Sequence, residues 1–191
     1  MSDGAKRTMQ AYVELLAEDP EATSALAIAR GRLAAGRRLT AVKRVRVFEL
    51  SGPLPSRAEV EALLHRSTRF YNPAKERCTV RAGEREPAPF QRDEALVLVV
   101  DRGLERRPAG ERWWKHETGE KVEVREGTVW ALAVEPGEDA AARAAELAEV
   151  RDRRHGLFAN PHFQDWRPGE GATPPWPWLE RPRKRGKESG S

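Results

Sequence analysis

The chain has 191 residues and a formal net charge of +4; 34% of its residues are charged and 39% are hydrophobic. This length predicts one domain, or one domain with added segments, and the hydrophobic fraction is too high for a wholly disordered chain. No run approaches the roughly 18 apolar residues of a membrane span, no secretory signal is visible, and the single cysteine excludes an internal disulfide. We therefore expect a cytoplasmic protein that does not contact a membrane.

Residues 5–36 show the spacing of two helices. Met9, Val13 and Leu16 recur at helical intervals, which predicts an apolar stripe on the first helix. Asp19 precedes Pro20, which suits an N-cap followed by the first position of a second helix. This hairpin is rich in alanine and its apolar face is narrow, so we expect residues 1–41 to form a helical arm outside the main domain.

From residue 42 the hydrophobic period changes to two, which predicts a β-strand over residues 42–50. Ser56 and Glu59 have the spacing of a capping box and predict a helix start, because each side chain can bind a free backbone N–H of the first turn. The sequence Phe-Tyr-Asn-Pro at residues 70–73 ends this helix, and residues 76–81 predict a second strand. The unit is strand, helix, strand.

A second stretch repeats this order. Residues 128–134 predict a strand, residues 138–154 a helix, and residues 163–167 a closing strand. The helix ends at residues 158–161 (Phe-Ala-Asn-Pro), so a Phe-x-Asn-Pro sequence closes the helix of both units, 88 residues apart. This recurrence predicts an internal duplication.

The segments between and after these units differ in composition. Residues 95–101 are the most strongly apolar strand candidate, and residues 102–120 are expected to form a loop that contains two adjacent tryptophans. The chain becomes rich in proline and glycine after Trp166, which favours irregular structure. We therefore predict a main domain at residues 42–168, and a Pro/Trp-rich segment with a disordered basic tail at residues 169–191.

The positive charge is concentrated at the end of the chain. Residues 181–191 contain five basic residues and one acidic residue, so their net charge of +4 equals that of the whole chain. A nucleic-acid-binding domain normally carries its positive charge on the folded body. We expect the tail to be solvated, with weak electrostatic contact to RNA, DNA or an acidic partner as the alternative.

Two duplicated units of this kind, with their helices on one face of an antiparallel sheet, predict a ferredoxin-like α+β domain. A generic α+β sandwich and a small barrel are the competing folds. Helices would cover only one face of the sheet, yet residues 96–100 and 129–134 are apolar on both sides, as in strands that are buried twice. Either the helical arm or a second chain must cover the open face, and we predict a homodimer.

Several motifs near the end of the chain resemble a known family. Residues 124–127 (Val-Arg-Glu-Gly) precede the strand, and a helix rich in alanine and glutamate follows it. Residues 159–161 (Ala-Asn-Pro) are then followed by Asp165 and Trp166. This order is similar to that of the small subunit of phosphoribosylformylglycinamidine synthase, an enzyme of purine biosynthesis.

The resemblance covers residues 95–168, and residues 42–82 more weakly resemble the N-terminal module of the single-chain synthases. It implies a non-catalytic subunit that joins a glutaminase to a synthetase and helps ammonia to pass between them. The family's small subunit is about half as long as this chain and lacks the helical arm, the paired tryptophans and the basic tail. A diverged relative with another role is therefore as consistent with the sequence as a purine-pathway subunit.

The sequence contains no recognisable catalytic or cofactor site. It has no phosphate-binding glycine loop, and its four histidines lack the spacing of metal ligands. Cys78 falls in a predicted strand, where a small buried hydrophobic residue is expected rather than a nucleophile. We predict no catalytic residue, no cofactor and no metal, and expect an accessory subunit rather than an enzyme by itself.

Eight residues are candidates for an interface or a junction. Two asparagines fall at equivalent helix–strand junctions, where they either present their side chains to a partner or cap the helix C-terminus. The tryptophans of predicted loops either pack on the domain or form interface hot spots. The candidates are Asn72, Pro73, Trp113, Trp114, Asn160, Pro161, Asp165 and Trp166.

Three functional hypotheses follow. The leading one is a non-catalytic interaction module that oligomerises and docks on larger enzymes, with synthetase and glutaminase subunits as its protein partners. The second is a nucleic-acid-associated protein that uses the basic tail and exposed tryptophans. The third is an enzyme with an unrecognised site.

Overall fold

The computed structural model of the chain describes residues 6–180. Within this range the elements are β1 (Arg7–Leu15), α1 (Pro20–Arg32), β2 (Leu39–Gly52), α2 (Arg57–His65), β3 (Glu76–Arg81), β4 (Ala95–Asp101), α3 (Pro108–Thr118), β5 (Glu123–Val134), α4 (Ala140–Ala148) and β6 (Gln164–Glu170). A short 3-10 turn at Ala34–Gly36 separates α1 from β2.

The strands form one antiparallel sheet in the order β3-β1-β2-β5-β4-β6. The long strands β2 and β5 pair at its centre, so the sheet divides into two halves with the element order strand, helix, strand, helix, strand. In each half the first strand lies between the other two, which makes β2-α2-β3 and β5-α4-β6 split β-α-β units. The predicted antiparallel α+β domain is confirmed, with a sheet larger than that of a β-α-β-β-α-β ferredoxin-like fold.

The predicted N-terminal helical arm is wrong, because its first helix is strand β1. This strand pairs with β2 on one side and β3 on the other, and its side chains are buried on both faces of the sheet. Ala11 and Val13 lie under the helices, and Gln10 and Tyr12 lie on the opposite face. A strand buried on both faces loses the period of two, so its apolar spacing imitates a helix. Residues 6–41 therefore belong to the sheet domain.

Two predicted helix starts are confirmed. Asp19 is the N-cap of α1 and accepts a hydrogen bond from the N–H of Glu21, and Pro20 is the first residue of the helix. α2 begins at the capping box, in which Ser56 Oγ accepts from the N–H of Glu59 and the Glu59 carboxylate accepts from the N–H of Ser56.

The predicted loop at residues 102–120 contains helix α3 instead. Pro108 is the first residue of this helix. The N–H at that position has no intrahelical acceptor, so proline, which lacks an N–H, costs no hydrogen bond there. Gly119 ends the helix with a φ of +78°, a conformation that glycine adopts without strain. Proline and glycine therefore mark the ends of this element, although in the sequence they suggest its absence.

The four helices of residues 6–180 pack on one face of the sheet, as two pairs. α2 and α3 cover one apolar cluster, which contains Phe70 and Trp114. α1 and α4 cover a second cluster, which contains Leu132 and Leu147. The middle of the β2–β5 pair lies between the two clusters.

The opposite face is covered by irregular chain. Residues 88–90 and a C-terminal strap (residues 172–180) pack on the central strands, and Trp178 and Leu179 of the strap are 2% and 0% exposed. Glycines in the sheet make room for them, since a Cβ at Gly169 would lie 2.8 Å from Trp178 and one at Gly127 would lie 2.9 Å from Leu179. The predicted disorder after residue 168 is therefore wrong as far as residue 180. The basic part of the predicted tail, residues 181–191, lies outside the described residues.

The face on which the homodimer prediction was based is thus closed by the chain itself. Neither the N-terminal segment nor a second chain is needed to cover Val45, Leu98 or Val129, because the strap and residues 88–90 bury them. The homodimer stays a prediction, without the open face as its reason.

Candidate functional site

A polar cleft lies on the helical face, between the two helix pairs and above the centre of the β2–β5 pair. It has a volume of about 230 Å³. Its walls come from the N-terminal ends of α1 and α3 and from the junction before β6. The side chains that line it include Arg44, Asp101, Leu104, Arg107, Glu126, Thr128, Trp130, Phe158 and Gln164.

Two ion pairs join the N-termini of α1 and α3 to the central strands. The helix residue is acidic in the first pair and basic in the second. Asp19, the N-cap of α1, accepts from Arg44 Nε on β2 at 2.8 Å. Arg107, the N-cap of α3, pairs with Glu126 on β5. Burial alone would raise the pKa of Asp19, but the hydrogen bonds from Arg44 and the N–H of Glu21 lower it below its ordinary value. Each of these charged groups is already paired with another, which favours a binding or structural role over proton transfer.

The remaining wall of the cleft is formed by two aromatic side chains and one amide side chain. Trp130 stacks on Phe158 with ring centroids 4.9 Å apart. Gln164 Nε2 donates to Asp101 Oδ1 at 2.9 Å, and Leu104 at the rim is 67% exposed. The cleft thus offers a flat apolar surface beside charged donors and acceptors, which suits a small polar molecule or a polar protein side chain.

The predicted junction residues Asn72 and Asn160 form matching turns. Asn72 Oδ1 accepts from the N–H two residues later at 3.0 Å, and the N–H of Asn72 donates to the Glu76 carboxylate. Asn160 Oδ1 accepts at the same offset and distance, and its N–H donates to Gln164 Oε1. The turns precede β3 and β6 at opposite edges of the sheet. The structure therefore gives these asparagines a structural role in each half and does not bring them into one site.

The prolines after these asparagines differ in exposure: Pro73 is exposed, and Pro161 is half-buried with its carbonyl accepting from Arg102 at 2.8 Å. Arg102 also donates to Asp165 at 2.6 Å. Asp165 and Pro161 are therefore held by a common arginine at the edge formed by β6.

Of the predicted interface tryptophans, Trp114 is a core residue and Trp113 and Trp166 are half-buried. Trp114 is fully buried between α3 and the sheet, and Trp113 packs edge-on against Phe70 at 5.7 Å. Trp166 packs against the cluster under α1 and α4. Packing on the domain, the first of the two alternatives, describes Trp114 in full and the other two rings in part.

A buried polar cluster on the opposite face holds the strap. Glu49 Oε2 accepts from Gln10 Nε2 at 3.0 Å and from the N–H groups of Trp178 and Leu179 at 2.8 and 3.3 Å. Glu49 is 1% exposed. Its carboxylate therefore satisfies two backbone donors of a segment that has no strand or helix partner of its own.

Arg81 supplies the matching donors. This fully buried guanidinium donates to the carbonyl of Pro174 at 2.8 Å, to that of Glu86 at 2.7 Å and to Gln10 Oε1 at 3.0 Å. Tyr12 also donates to Gln10 Oε1, and burial raises the pKa of Tyr12. The sequence motifs do not indicate this cluster. Its one signal is the position of Glu49 on the apolar side of a strand, since an unpaired buried charge is costly.

Cys78 lies in β3 as predicted and is half-buried. Burial, followed by the charge of Glu61, raises the pKa of Cys78 to about 12, so the thiolate required of a nucleophile is scarce at neutral pH. Within residues 6–180 no group of His, Cys, Asp and Glu side chains is arranged to hold a metal ion. No helix in that range is both long and apolar enough to cross a membrane.

Comparison of the chain with protein-family models, with curated proteins and with solved structures found no match. The candidate sites are therefore defined by the geometry of this chain alone.

Proposed function

We propose that the protein is a non-catalytic assembly module in which one chain supplies two equivalent halves. The observation that carries the proposal is the division of the sheet into halves of the same element order, joined through β2 and β5. The small subunit of phosphoribosylformylglycinamidine synthase, which the sequence resembles, is about half the length of this chain. Each half would then correspond to one such subunit, and the module would dock a glutaminase and a synthetase.

We also propose that the halves arose by duplication, over longer segments than the sequence indicated. The Asp19-Pro20 and Arg107-Pro108 helix starts are 88 residues apart, as are the matching turns at Asn72 and Asn160. The two repeats would be residues 7–81 and 95–170. This gives β1 and α1, first interpreted as parts of an arm, counterparts in β4 and α3.

The nucleic-acid alternative receives less support from the folded domain. Trp114 and Trp178 are buried, and Trp176 lies under the guanidinium of Arg81 at 5.0 Å. Those rings are not open platforms for base stacking. The alternative then depends on the charge of residues 181–191.

Reconstitution tests the assembly proposal. The glutaminase and the synthetase of purine biosynthesis from the same organism are assayed with and without this chain, with glutamine or ammonia as the nitrogen source. We expect glutamine-dependent formation of phosphoribosylformylglycinamidine to require the chain, and ammonia-dependent formation by the synthetase to proceed without it.

Light scattering after size-exclusion chromatography supplies the second readout. We expect a complex that contains all three proteins, and the chain by itself shows whether it dimerises. Equal glutamine-dependent rates with and without the chain, together with separate elution of the three proteins, would contradict the proposal.

A further inference from the structure

A basic groove lies at the end of the β2–β5 pair, beside α3. The groove has a volume of about 690 Å³. It is enclosed by Lys6 before β1, the turn after β2, one side of α3 and the residues that lead into β5. Two of its lining side chains are acidic and five are basic; the basic ones are Lys6, Arg106, Arg112, Lys115 and Lys121.

The two acidic side chains of this basic groove are already engaged. Glu111 accepts from Arg106 at 2.7 Å, and Glu123 accepts from Arg125 at 2.5 Å. Three exposed basic side chains, by contrast, form no ion pair within residues 6–180: Arg112, Lys115 and Lys121. The side of the groove next to α3 therefore carries uncompensated positive charge.

The surface between these charges is apolar. Pro53, Pro108 and Val122 contribute to it, and the described residues that line the groove include no aromatic ring. A nucleic-acid strand would find partners for its phosphates there but no ring on which a base could stack. A protein segment that combines carboxylates with apolar side chains would match both the charge and the surface.

The end of the strap reaches one side of the groove. Lys6, at one side of the groove, lies 4.0 Å from Glu180, the last described residue. The uncompensated charges of Arg112, Lys115 and Lys121 would raise the association rate of an acidic partner and make it dependent on ionic strength.

We propose that the basic groove is a docking site for an acidic protein segment with apolar side chains. This inference rests on the proposed assembly function and names the chemistry by which a partner would be held. The carboxylates of the segment pair with Arg112, Lys115 and Lys121, and its apolar side chains cover Pro53 and Pro108.

Fluorescence anisotropy with three labelled probes of equal negative charge tests the inference. The probes are a short peptide in which glutamates alternate with leucine and phenylalanine, a poly-glutamate peptide, and oligo-dT. We expect the mixed peptide to bind most tightly. The triple variant R112E/K115E/K121E should weaken its binding by roughly tenfold or more, and added salt should weaken it further.

A matched triple variant controls for net charge. R69E/K75E/R85E reverses three exposed basic residues that do not line the groove, and we expect it to bind the mixed peptide nearly as well as the unchanged chain. Far-ultraviolet circular dichroism and thermal unfolding confirm that both variants are folded. An equal loss in the two variants would overturn the inference, because attraction would then follow net charge alone.

The other probes give distinct contrary outcomes. Poly-glutamate binding as tightly as the mixed peptide would mean that the apolar surface contributes nothing, and tighter binding of oligo-dT would make the groove a nucleic-acid surface. Neither probe assay uses a purine-pathway enzyme, so docking can succeed while reconstitution fails. A further outcome is that reconstitution succeeds with the unchanged chain and equally well with the R112E/K115E/K121E variant. In that case the module assembles through another surface, so the docking inference is wrong while the assembly proposal stands.

Discussion

The two faces of the sheet are covered in different ways. On one face, four helices bring apolar side chains onto the strands and satisfy most of their own backbone groups. On the other, the strap covers the strands without regular structure, so side chains of the sheet must bind its backbone. Glu49, Gln10 and Arg81 do so from within the core. The comparison shows that irregular cover can close a sheet when the sheet itself carries buried polar groups.

Removing the strap should have the largest effect on stability. Truncation after residue 171 exposes the core around Tyr12 and Val129 and removes Trp178 and Leu179, both of which are buried. We expect a loss of about 5 kcal/mol or more in the free energy of unfolding, which approaches the whole stability of many domains. Urea unfolding followed by circular dichroism measures it.

Truncation after residue 180 is the control. It removes the eleven residues 181–191 and leaves the strap complete. We expect a change of less than about 0.5 kcal/mol, because every described contact between the strap and the sheet is kept. Similar losses in the two truncated chains would show that the strap does not pack on the sheet.

Replacing a buried arginine should have the next largest effect on stability, and it compares the polar cluster under the strap with an ion pair on the helical face. Arg81→Met leaves the carbonyls of Pro174 and Glu86 without their donor, and we expect a loss of about 3 kcal/mol in the free energy of unfolding. Arg44→Met removes a partly exposed ion pair on the helical face and should cost about 1 kcal/mol. Equal losses in urea unfolding would contradict the distinct role of the polar cluster.

A single methyl group tests how closely the strap lies on the sheet. Gly169→Ala places a Cβ 2.8 Å from the Trp178 ring, and we expect it to cost about 1–2 kcal/mol through overpacking. Gly31→Ala on α1 has no atom within 4 Å of its new Cβ and should stabilise the protein by about 0.5–1 kcal/mol. Thermal unfolding compares the two, and a neutral Gly169→Ala would place the strap farther from β6.

The smallest expected effect on stability comes from Asp19 on the helical face, and it depends on pH. Asp19→Asn keeps an N-cap side chain but loses the charge that pairs with Arg44, so we expect a loss below about 1 kcal/mol at neutral pH. The pKa of Asp19 is lowered by folding, so its contribution is complete above the ordinary aspartate range and disappears as the pH falls through the lowered value.

Urea unfolding over that pH range measures the difference between Asp19→Asn and the unchanged chain. Asp93→Asn alters an exposed carboxylate on a turn and is the control. A difference that persists below the lowered pKa would mean that the hydrogen bonds of the cap, rather than its charge, stabilise α1.

Local signals predicted much of the helical face. The Asp19-Pro20 start and the Ser56/Glu59 capping box could be identified because a few neighbouring residues determine them. β1 was misassigned because a strand buried on both faces has no alternation, and Gln10 interrupts its apolar run. α3 was missed because Pro108 and Gly119, which mark its ends, also occur in loops.

The sites depended on contacts between residues that are distant in sequence. The strap is irregular in composition, and only the fold shows that Glu49 lies beneath its N–H groups, 129 residues away. The basic groove joins four separate segments of the chain, and the cleft joins the N-termini of two helices. Periodicity describes one element at a time, so it could not place these charges together.

The two ion pairs of the cleft also indicate how the two halves pair through β2 and β5. In the central strands the proposed repeats are offset by 82 residues rather than 88, because Arg44 and Glu126 hold matching places in the two ion pairs. Arg46 and Thr128 have the same offset of 82 and are cross-strand partners at the centre of the sheet. Under the proposed duplication a twofold axis passes between the latter two, and a residue on such an axis meets its own copy in any assembly of identical halves. Two copies of the first half would place arginine against arginine. The joined chain places arginine against threonine there, so under the proposed duplication the first half would meet less charge repulsion in pairing with the second half than with a copy of itself.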